Sequence, residues 1–181
     1  MAGIDESRTF YPVNIALLTI SDTRTEADDK SGDLLAELAA GCGHNIATRS
    51  IIADERGAIV TQLKKWIAVP EIDVVIATGG TGVTGRDITP EAFAEVYDKE
   101  IFGFGELFRM LSYKTIGTST MQSRATGGVA GGTYIFALPG SPSACRDGWE
   151  SILRWQLDSR YRPCNLVDLM PRLLENVGES T

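Results

Sequence analysis

The segment Asp73-Val-Val-Ile-Ala-Thr78 passes four apolar side chains in succession and then stops at Gly79-Gly80. A strand buried on one face alternates apolar and polar residues. A short unbroken run bounded by glycine is the mark of a strand covered on both faces, as in a parallel sheet with helices above and below. Val13-Asn-Ile-Ala-Leu-Leu-Thr-Ile20 and Thr133-Tyr-Ile-Phe-Ala-Leu138 have the same character, and Asn45 to Ile52 alternates with Ile46, Thr48 and Ser50 on one side. Helical spacings separate these strands. Leu34, Leu35 and Leu38 fall together within Gly32–Ala40, Ile59, Leu63, Trp66 and Ile67 share a face, and a further helix is expected over Gly105–Tyr113. Thr89-Pro90 and Ser141-Pro142 each read as an N-cap followed by proline at the first helical position, with Ile152 and Trp155 on the apolar side of the last helix. The alternation predicts an α/β fold, three layers deep, with a mostly parallel sheet. At 181 residues it predicts one domain, over 13–170, with an N-terminal extension (1–12) and a tail (171–181) whose polar end, from Glu175, frays.

Ligands of open parallel sheets bind beyond the carboxyl ends of the strands. Three loops qualify: Ser21-Asp22, Gly79 to Asp87, and Pro139 to Ser143. The second, Gly-Gly-Thr-Gly-Val-Thr-Gly-Arg-Asp, has four glycines in its first seven residues. Such a loop lets backbone N–H groups approach phosphate oxygens, and Thr81 and Thr84 add hydroxyls. A tight turn alone needs fewer glycines, so phosphate binding at Gly79, Gly80, Thr81 and Gly82 is preferred.

Gly80-x-Gly82-x-x-Gly85 also fits the dinucleotide fingerprint of nicotinamide oxidoreductases. That motif should follow the first strand and run directly into a helix, whereas this one follows the third and is separated from Thr89-Pro90 by Arg86-Asp87-Ile88. No Gly-Lys-Ser/Thr follows, which excludes a Walker loop. Asp54, after Ile51-Ile52-Ala53, and Asp87, closing the glycine loop, are the carboxylates suited to hold Mg2+ against phosphate oxygens. Taken alone, Asp54 equally suits a helix cap. Pro139-Gly140-Ser141 reads either as a capped turn or as an anion site, and Arg124 could grip a phosphate bidentately.

The net charge of −7 argues against a nucleic-acid partner and requires local cations or a metal around any anionic ligand. No apolar run reaches the ~20 residues of a membrane span, and the acidic start lacks a secretory h-region, so a cytoplasmic protein is expected. Cys42, Cys145 and Cys164 are too widely spaced for a zinc site and read as buried or partly buried free thiols. His44, the only histidine, reads as a surface-turn residue, which leaves no base for a Ser-His-Asp device. Trp66, Trp149, Trp155 and the Phe102–Phe108 stretch suit either core or interface.

Leu18-Thr-Ile-Ser-Asp22, Gly79–Asp87 continued by Ile88-Thr-Pro-Glu91, Gly103-Phe-Gly-Glu106 with Arg109, Ser123-Arg124 and Leu138-Pro-Gly140 together resemble the MoaB/MogA family of molybdenum cofactor biosynthesis. The likeness covers residues 13–165. Asp28–Gly32, Phe108–Ser112, Gly117–Thr120, Cys145-Arg146, Arg162-Pro-Cys-Asn165 and the filling Val83–Arg86 are closer to MoaB than to MogA. The resemblance implies trimers or hexamers, a role beside other proteins of the same biosynthesis, and a molybdopterin site involving Glu106, Ser123 and Arg124. It also implies adenylylation of molybdopterin by ATP and Mg2+, with Ser21, Asp22 and Pro139–Ser141 beside the nucleotide. The family's two key carboxylates match Asp54 and Asp87. Some MoaB proteins lack both and are thought inactive. Retention of both here implies a molybdopterin adenylyltransferase rather than a non-catalytic carrier.

Overall fold

The computed structural model describes residues 2–175. In chain order the strands and helices are β1 (Gly3–Ile4), β2 (Asn14–Ile20), α1 (Lys30–Gly41), β3 (Asn45–Ile52), α2 (Arg56–Ile67), β4 (Val74–Thr78), α3 (Thr89–Ala94), β5 (Lys99–Glu100), α4 (Phe102–Ile116), β6 (Thr126–Ala130), β7 (Thr133–Leu138), α5 (Pro142–Gly148), α6 (Arg154–Gln156) and β8 (Tyr161–Arg162). A 3₁₀ turn, Gly117–Gln122, follows α4, and a π-helical turn, Trp149–Leu153, joins α5 to α6.

The main sheet has the order β3-β2-β4-β7-β6-β5. Its first four strands are parallel, β6 pairs antiparallel with β7, and β5 pairs antiparallel with β6. Side chains alternate across it as the pleat requires. Ile15, Leu17, Val74, Ile76, Tyr134, Phe136 and Leu138 pack with Leu35 of α1, Phe104 and Phe108 of α4, Cys145 and Trp149. Ala16, Leu18, Val75, Ala77, Ile135 and Ala137 pack with Ile59, Leu63 and Trp66 of α2 and Ala92 and Phe93 of α3. The result is the expected three-layer α/β/α architecture with a mostly parallel sheet. The two cores explain why β2, β4 and β7 carry apolar residues without interruption. Each fully buried aliphatic or aromatic side chain contributes about 1.5–3 kcal/mol by leaving water.

Several local expectations are corrected. Thr89 is the first residue of α3 rather than its N-cap, and its hydroxyl donates to the Gly79 carbonyl at 2.9 Å. Ser141 does cap α5, accepting from the Ala144 amide at 3.2 Å. Helix α4 is longer than Gly105–Tyr113, beginning at Phe102 and ending at Ile116. Strands β5 and β6 were not anticipated. Gly127 and Gly128 disfavour a strand by propensity, yet a Cβ at Gly127 would strike the Phe136 ring and one at Gly128 the Tyr97 ring, so close packing demands them.

His44 follows the turn at Gly43 but is buried, 5% exposed. Its Nδ1 accepts from the Val13 amide at 3.3 Å, and its ring lies between Phe10 and Trp149. Chain reversal there places the imidazole under the N-terminal segment rather than in solvent. Cys42 is half-buried and Cys145 buried, but Cys164 is exposed. Trp149 is fully buried core. The N-terminal segment is tied down through β1, which pairs with β8, and through Arg8, which donates twice to Asp168 at 2.9 Å. Of the end expected to fray, Glu175 closes a turn with Arg172, and residues 176–181 lie outside the described residues. No helix among the described residues is long and apolar enough to cross a membrane.

Candidate functional site

The parallel strands β3, β2, β4 and β7 end side by side, so the residues that follow them share one edge. Ser21's amide bonds the Ile52 carbonyl at 2.9 Å, and Gly79's amide bonds the Leu138 carbonyl at 3.0 Å, which fixes the register of the loops. Gly79 (φ 112°) and Gly80 (φ 62°) turn the chain back on itself, in a region of φ that side chains resist. At Gly79 a Cβ would overlap the Ile20 carbonyl oxygen. Gly140 then approaches Gly79 so closely that its own Cβ would stand 3.3 Å from the Gly79 Cα.

These loops wall a cleft of about 690 Å³. Ser21, Gly79, Gly80, Thr81, Gly82, Asp87, Ser123, Pro139, Gly140 and Ser141 all line it. Arg24 and, across the cleft, Phe108, Ser112 and Gln122 also line it; none of these four was identified from sequence. Arg24 had a signal, since it lies three residues beyond Ser21 in the same strand-end loop. It donates to the Gly140 carbonyl at 2.7 Å, beside the Ser31 hydroxyl at 2.8 Å, so one cation and one hydroxyl hold the β7 loop in place.

The carboxylates stand behind the glycines. Asp54 approaches Gly80 so closely that a Cβ there would lie 2.8 and 2.9 Å from its two carboxylate oxygens, and a Cβ at Gly82 would lie 2.7 Å from Oδ2 of Asp87. Asp54 does not cap α2, whose N-cap is Glu55 and has no side-chain bond. Its Oδ1 is buried without a partner. Burial, then the charges of Asp87 and Asp22, push the Asp54 carboxyl above its ordinary value. Burial acts in the same sense on Asp87, but the Thr84 hydroxyl (2.7 Å) and amide (2.9 Å), the Gly82 amide and Arg124 outweigh it and leave Asp87 below the ordinary value. Asp22 lies outside the cleft. It accepts from the Asp54 amide at 3.1 Å and pairs with Arg86, and these two bonds hold its carboxyl low.

The residues expected to meet molybdopterin separate. Glu106 and Arg124 line a second cleft of about 430 Å³ with Tyr97, Arg109 and Met121, and Ser123 lines both clefts. Arg124 points into the wall of the glycine loop, where its Nε donates to the Gly82 carbonyl and its Nη2 to the Asp87 carbonyl, each at 2.6 Å. Thr84's hydroxyl is likewise engaged within the loop, leaving it no free donor toward an anion from that proton.

Among the described residues, no group of three or more His, Cys, Asp or Glu is arranged to hold a metal by itself. An ion held by Asp87 and Asp54 would have to draw its other oxygens from phosphate and water, which is the habit of Mg2+. A glycine-walled cleft at the carboxyl edge of a parallel sheet, with Asp87 in its lining and Asp54 behind the glycines, is where proteins of this fold class take up ligands.

Comparison with known proteins narrows that class. A family profile described as "probable molybdopterin binding domain" matches residues 16–159. The chain is 52% identical over 159 residues to molybdenum cofactor biosynthesis protein B of Escherichia coli strain K12, covering 88% of this chain and 94% of that one. It is 48% identical over 135 residues to the protein of the same name from Bacillus cereus, covering 74% and 80%. Among solved structures, a molybdenum cofactor biosynthesis protein B superposes with a TM-score of 0.83 at 40% identity, covering 92% of this chain and 98% of that one. The tungsten cofactor synthesizing protein MoaB of Pyrococcus furiosus superposes with a TM-score of 0.71 at 37% identity, covering 78% and 91%. The chain belongs to the MoaB family of molybdenum cofactor biosynthesis proteins.

Proposed function

We propose that this protein binds molybdopterin and adenylylates it with Mg-ATP, releasing pyrophosphate. The observation that carries the reading is Asp54: a carboxylate with a buried, unpartnered oxygen, flanked by two further carboxylates, directly behind a glycine loop that can cradle phosphate. Arg86, paired with Asp22, offsets these charges only in part, and a divalent cation would supply the remainder.

In this reading Asp54 and Asp87 hold Mg2+, which when bound offsets the charge of the phosphates. The terminal phosphate oxygen of molybdopterin attacks the α-phosphorus of ATP, one P–O bond forms, and the bond to pyrophosphate breaks. The nucleophile is already an anion near neutral pH, so the lack of a histidine in the cleft is no obstacle. What the chain must supply is position and charge compensation. Gly79–Gly82 and Pro139–Ser141 line the phosphate path with Ser21, and Asp22 acts from outside the cleft through its bond to the Asp54 amide. Ser123 stands at the join of the two clefts, and Glu106 lies in the second cleft, into which the pterin end would extend.

Homo-oligomers, trimers or hexamers, form part of the same reading. Phe102, Met110, Tyr113, Ile116 and Met121, all on or just after α4, leave their apolar side chains more than half exposed, which supports it. A cytoplasmic setting beside other molybdenum cofactor biosynthesis proteins also belongs to this reading. We read residues 13–170 as one domain flanked by the extension (1–12) and the tail (171–181).

The test is to incubate the purified protein with molybdopterin, ATP and Mg2+ and to detect the product by mass. Adenylylated molybdopterin is expected. Tight molybdopterin binding without product would leave a carrier on an enzyme's fold.

A further inference from the structure

Arg124 stands at a point where four parts of the glycine loop and its following helix converge. Its amide donates to the Thr81 carbonyl at 2.9 Å, its Nε to the Gly82 carbonyl and its Nη2 to the Asp87 carbonyl, and its Nη1 pairs with the Glu91 carboxylate on α3. Apart from Arg124, the side chain that ties the turn to the rest of the fold is Arg86, which pairs with Asp22 at the solvent side. Within the turn itself the bonds converge on Asp87, from the Thr84 hydroxyl and amide and the Gly82 amide, and Val83 at the tip is exposed. Residue 124 is also absent from the lining of the glycine cleft, and the exposed remainder of its side chain faces the second cleft.

We propose that Arg124 is a positioning residue, clamping both ends of the Gly82–Asp87 turn from behind so that the Asp87 carboxylate is presented to the cleft, rather than gripping the substrate's phosphate itself. The planar fork explains the choice of arginine. Three nitrogens reach two carbonyls and a carboxylate at fixed angles, and the ammonium of lysine cannot span them. Glu91 neutralises the guanidinium and ties the turn to α3, so the clamp brings no net positive charge to the cleft. The proposal rests on the reading of Asp87 as an ion-holding carboxylate, but the clamp itself can be tested without any turnover.

The experiment is hydrogen exchange on the full chain, comparing wild type with Arg124→Lys, Arg124→Ala and Glu91→Gln. In both arginine variants the amides of Thr84, Asp87 and Thr89 should exchange about tenfold faster or more, as expected for the loss of one or more hydrogen bonds, while amides of β4 and β7 are unchanged. Glu91→Gln, which keeps an acceptor but not the charge, should give a smaller acceleration. Tens of millimolar guanidinium should restore protection in Arg124→Ala. With molybdopterin, ATP and Mg2+, the lysine variant should lose kcat and need more Mg2+ for half-maximal rate, with KM for molybdopterin within about twofold of wild type, since only transition-state positioning is lost. Unchanged exchange in 80–89 in the arginine variants overturns the clamp, whatever the kinetics. Unchanged exchange with a raised KM for molybdopterin would instead make Arg124 a direct ligand. If the wild type yields no adenylylated product, the proposed function fails, and the exchange data alone decide the clamp.

Discussion

The two ends of β3 both leave a buried polar atom without a partner, yet they call for different things. Just before the strand, Nε2 of His44 is unpartnered between Phe10 (ring centroids 5.3 Å apart) and Trp149 (5.9 Å, edge-on), whose own Nε1 also lacks a partner. Just after it, Oδ1 of Asp54 is unpartnered between Asp22 and Asp87. At the first end the group can remain neutral: burial lowers the imidazole's proton affinity, against a smaller opposing pull from Asp158, and aromatic walls seal it. At the second end two carboxylates outweigh the opposing Ile88 amide and Arg86, and the wall is the glycine loop, whose other side lines a cleft. An unsatisfied polar atom is therefore not in itself a sign of a site. What distinguishes Asp54 is its place among carboxylates behind a loop that lines a ligand-sized cleft.

The sealed end can be broken most severely through Trp149. Trp149→Ala should destabilise the protein by about 3–5 kcal/mol, read from the urea midpoint, because the surrounding core cannot close over the cavity. A loss below 1 kcal/mol would mean that this end is loosely packed and the contrast mistaken.

The open end should answer in rate rather than stability. Asp87→Asn is expected to cost about a hundredfold in turnover, roughly 3 kcal/mol of barrier, while leaving the fold and molybdopterin binding intact. Removing that charge should also let the Asp54 carboxyl fall toward its ordinary value, seen by carboxyl-carbon NMR. Normal turnover in this variant would sink the ion-holding assignment.

A smaller effect separates the ends by pH. His44 is neutral in the fold with its proton affinity below the ordinary value of 6.5, so its contribution is fully present above that pH. Stability is lost as pH falls below it, at up to about 1.4 kcal/mol per pH unit, until the folded group also titrates. As the chain's only histidine, it can be isolated cleanly. Urea midpoints between pH 7.5 and 5.5 should show the slope in wild type and a much flatter one in His44→Gln; equal slopes would reject the idea.

The smallest effect has the opposite sign. Asp54's folded value is raised above 3.8, so its ionised form weakens the fold progressively as pH rises through that raised value. Asp54→Asn should therefore raise Tm at pH 7, by only about 1–2 °C given solvent screening, while abolishing turnover. A lower Tm would show that the carboxylate serves the fold.

Much of the scaffold was legible because β2, β4 and β7 are buried on both faces and carry their apolar residues without a break. Strand β6 was hidden because its fit to Phe136 and Tyr97 is met by glycine, a residue that propensity reads as loop. The N-cap assigned to Thr89 failed for a tertiary reason, since the Gly79 carbonyl competes for its hydroxyl. Within the candidate site, the glycine loop, Asp54 and Asp87 could be named from residue type and position after a strand. The separation of Glu106 from the glycine cleft could not, because it depends on how α4 lies against β6.

The sequence by itself determined the layers, the strands that end at the site and the chemistry of the loops, because periodicity and residue type are local quantities that burial and hydrogen bonding act upon directly. Only the tertiary structure decided which polar groups are spent on one another. Arg124 is committed to the loop carbonyls and Arg86 to Asp22, while Asp54 keeps one oxygen without a partner. The reason is that hydrogen-bond satisfaction is settled among residues tens of positions apart, and no spacing along the chain records it.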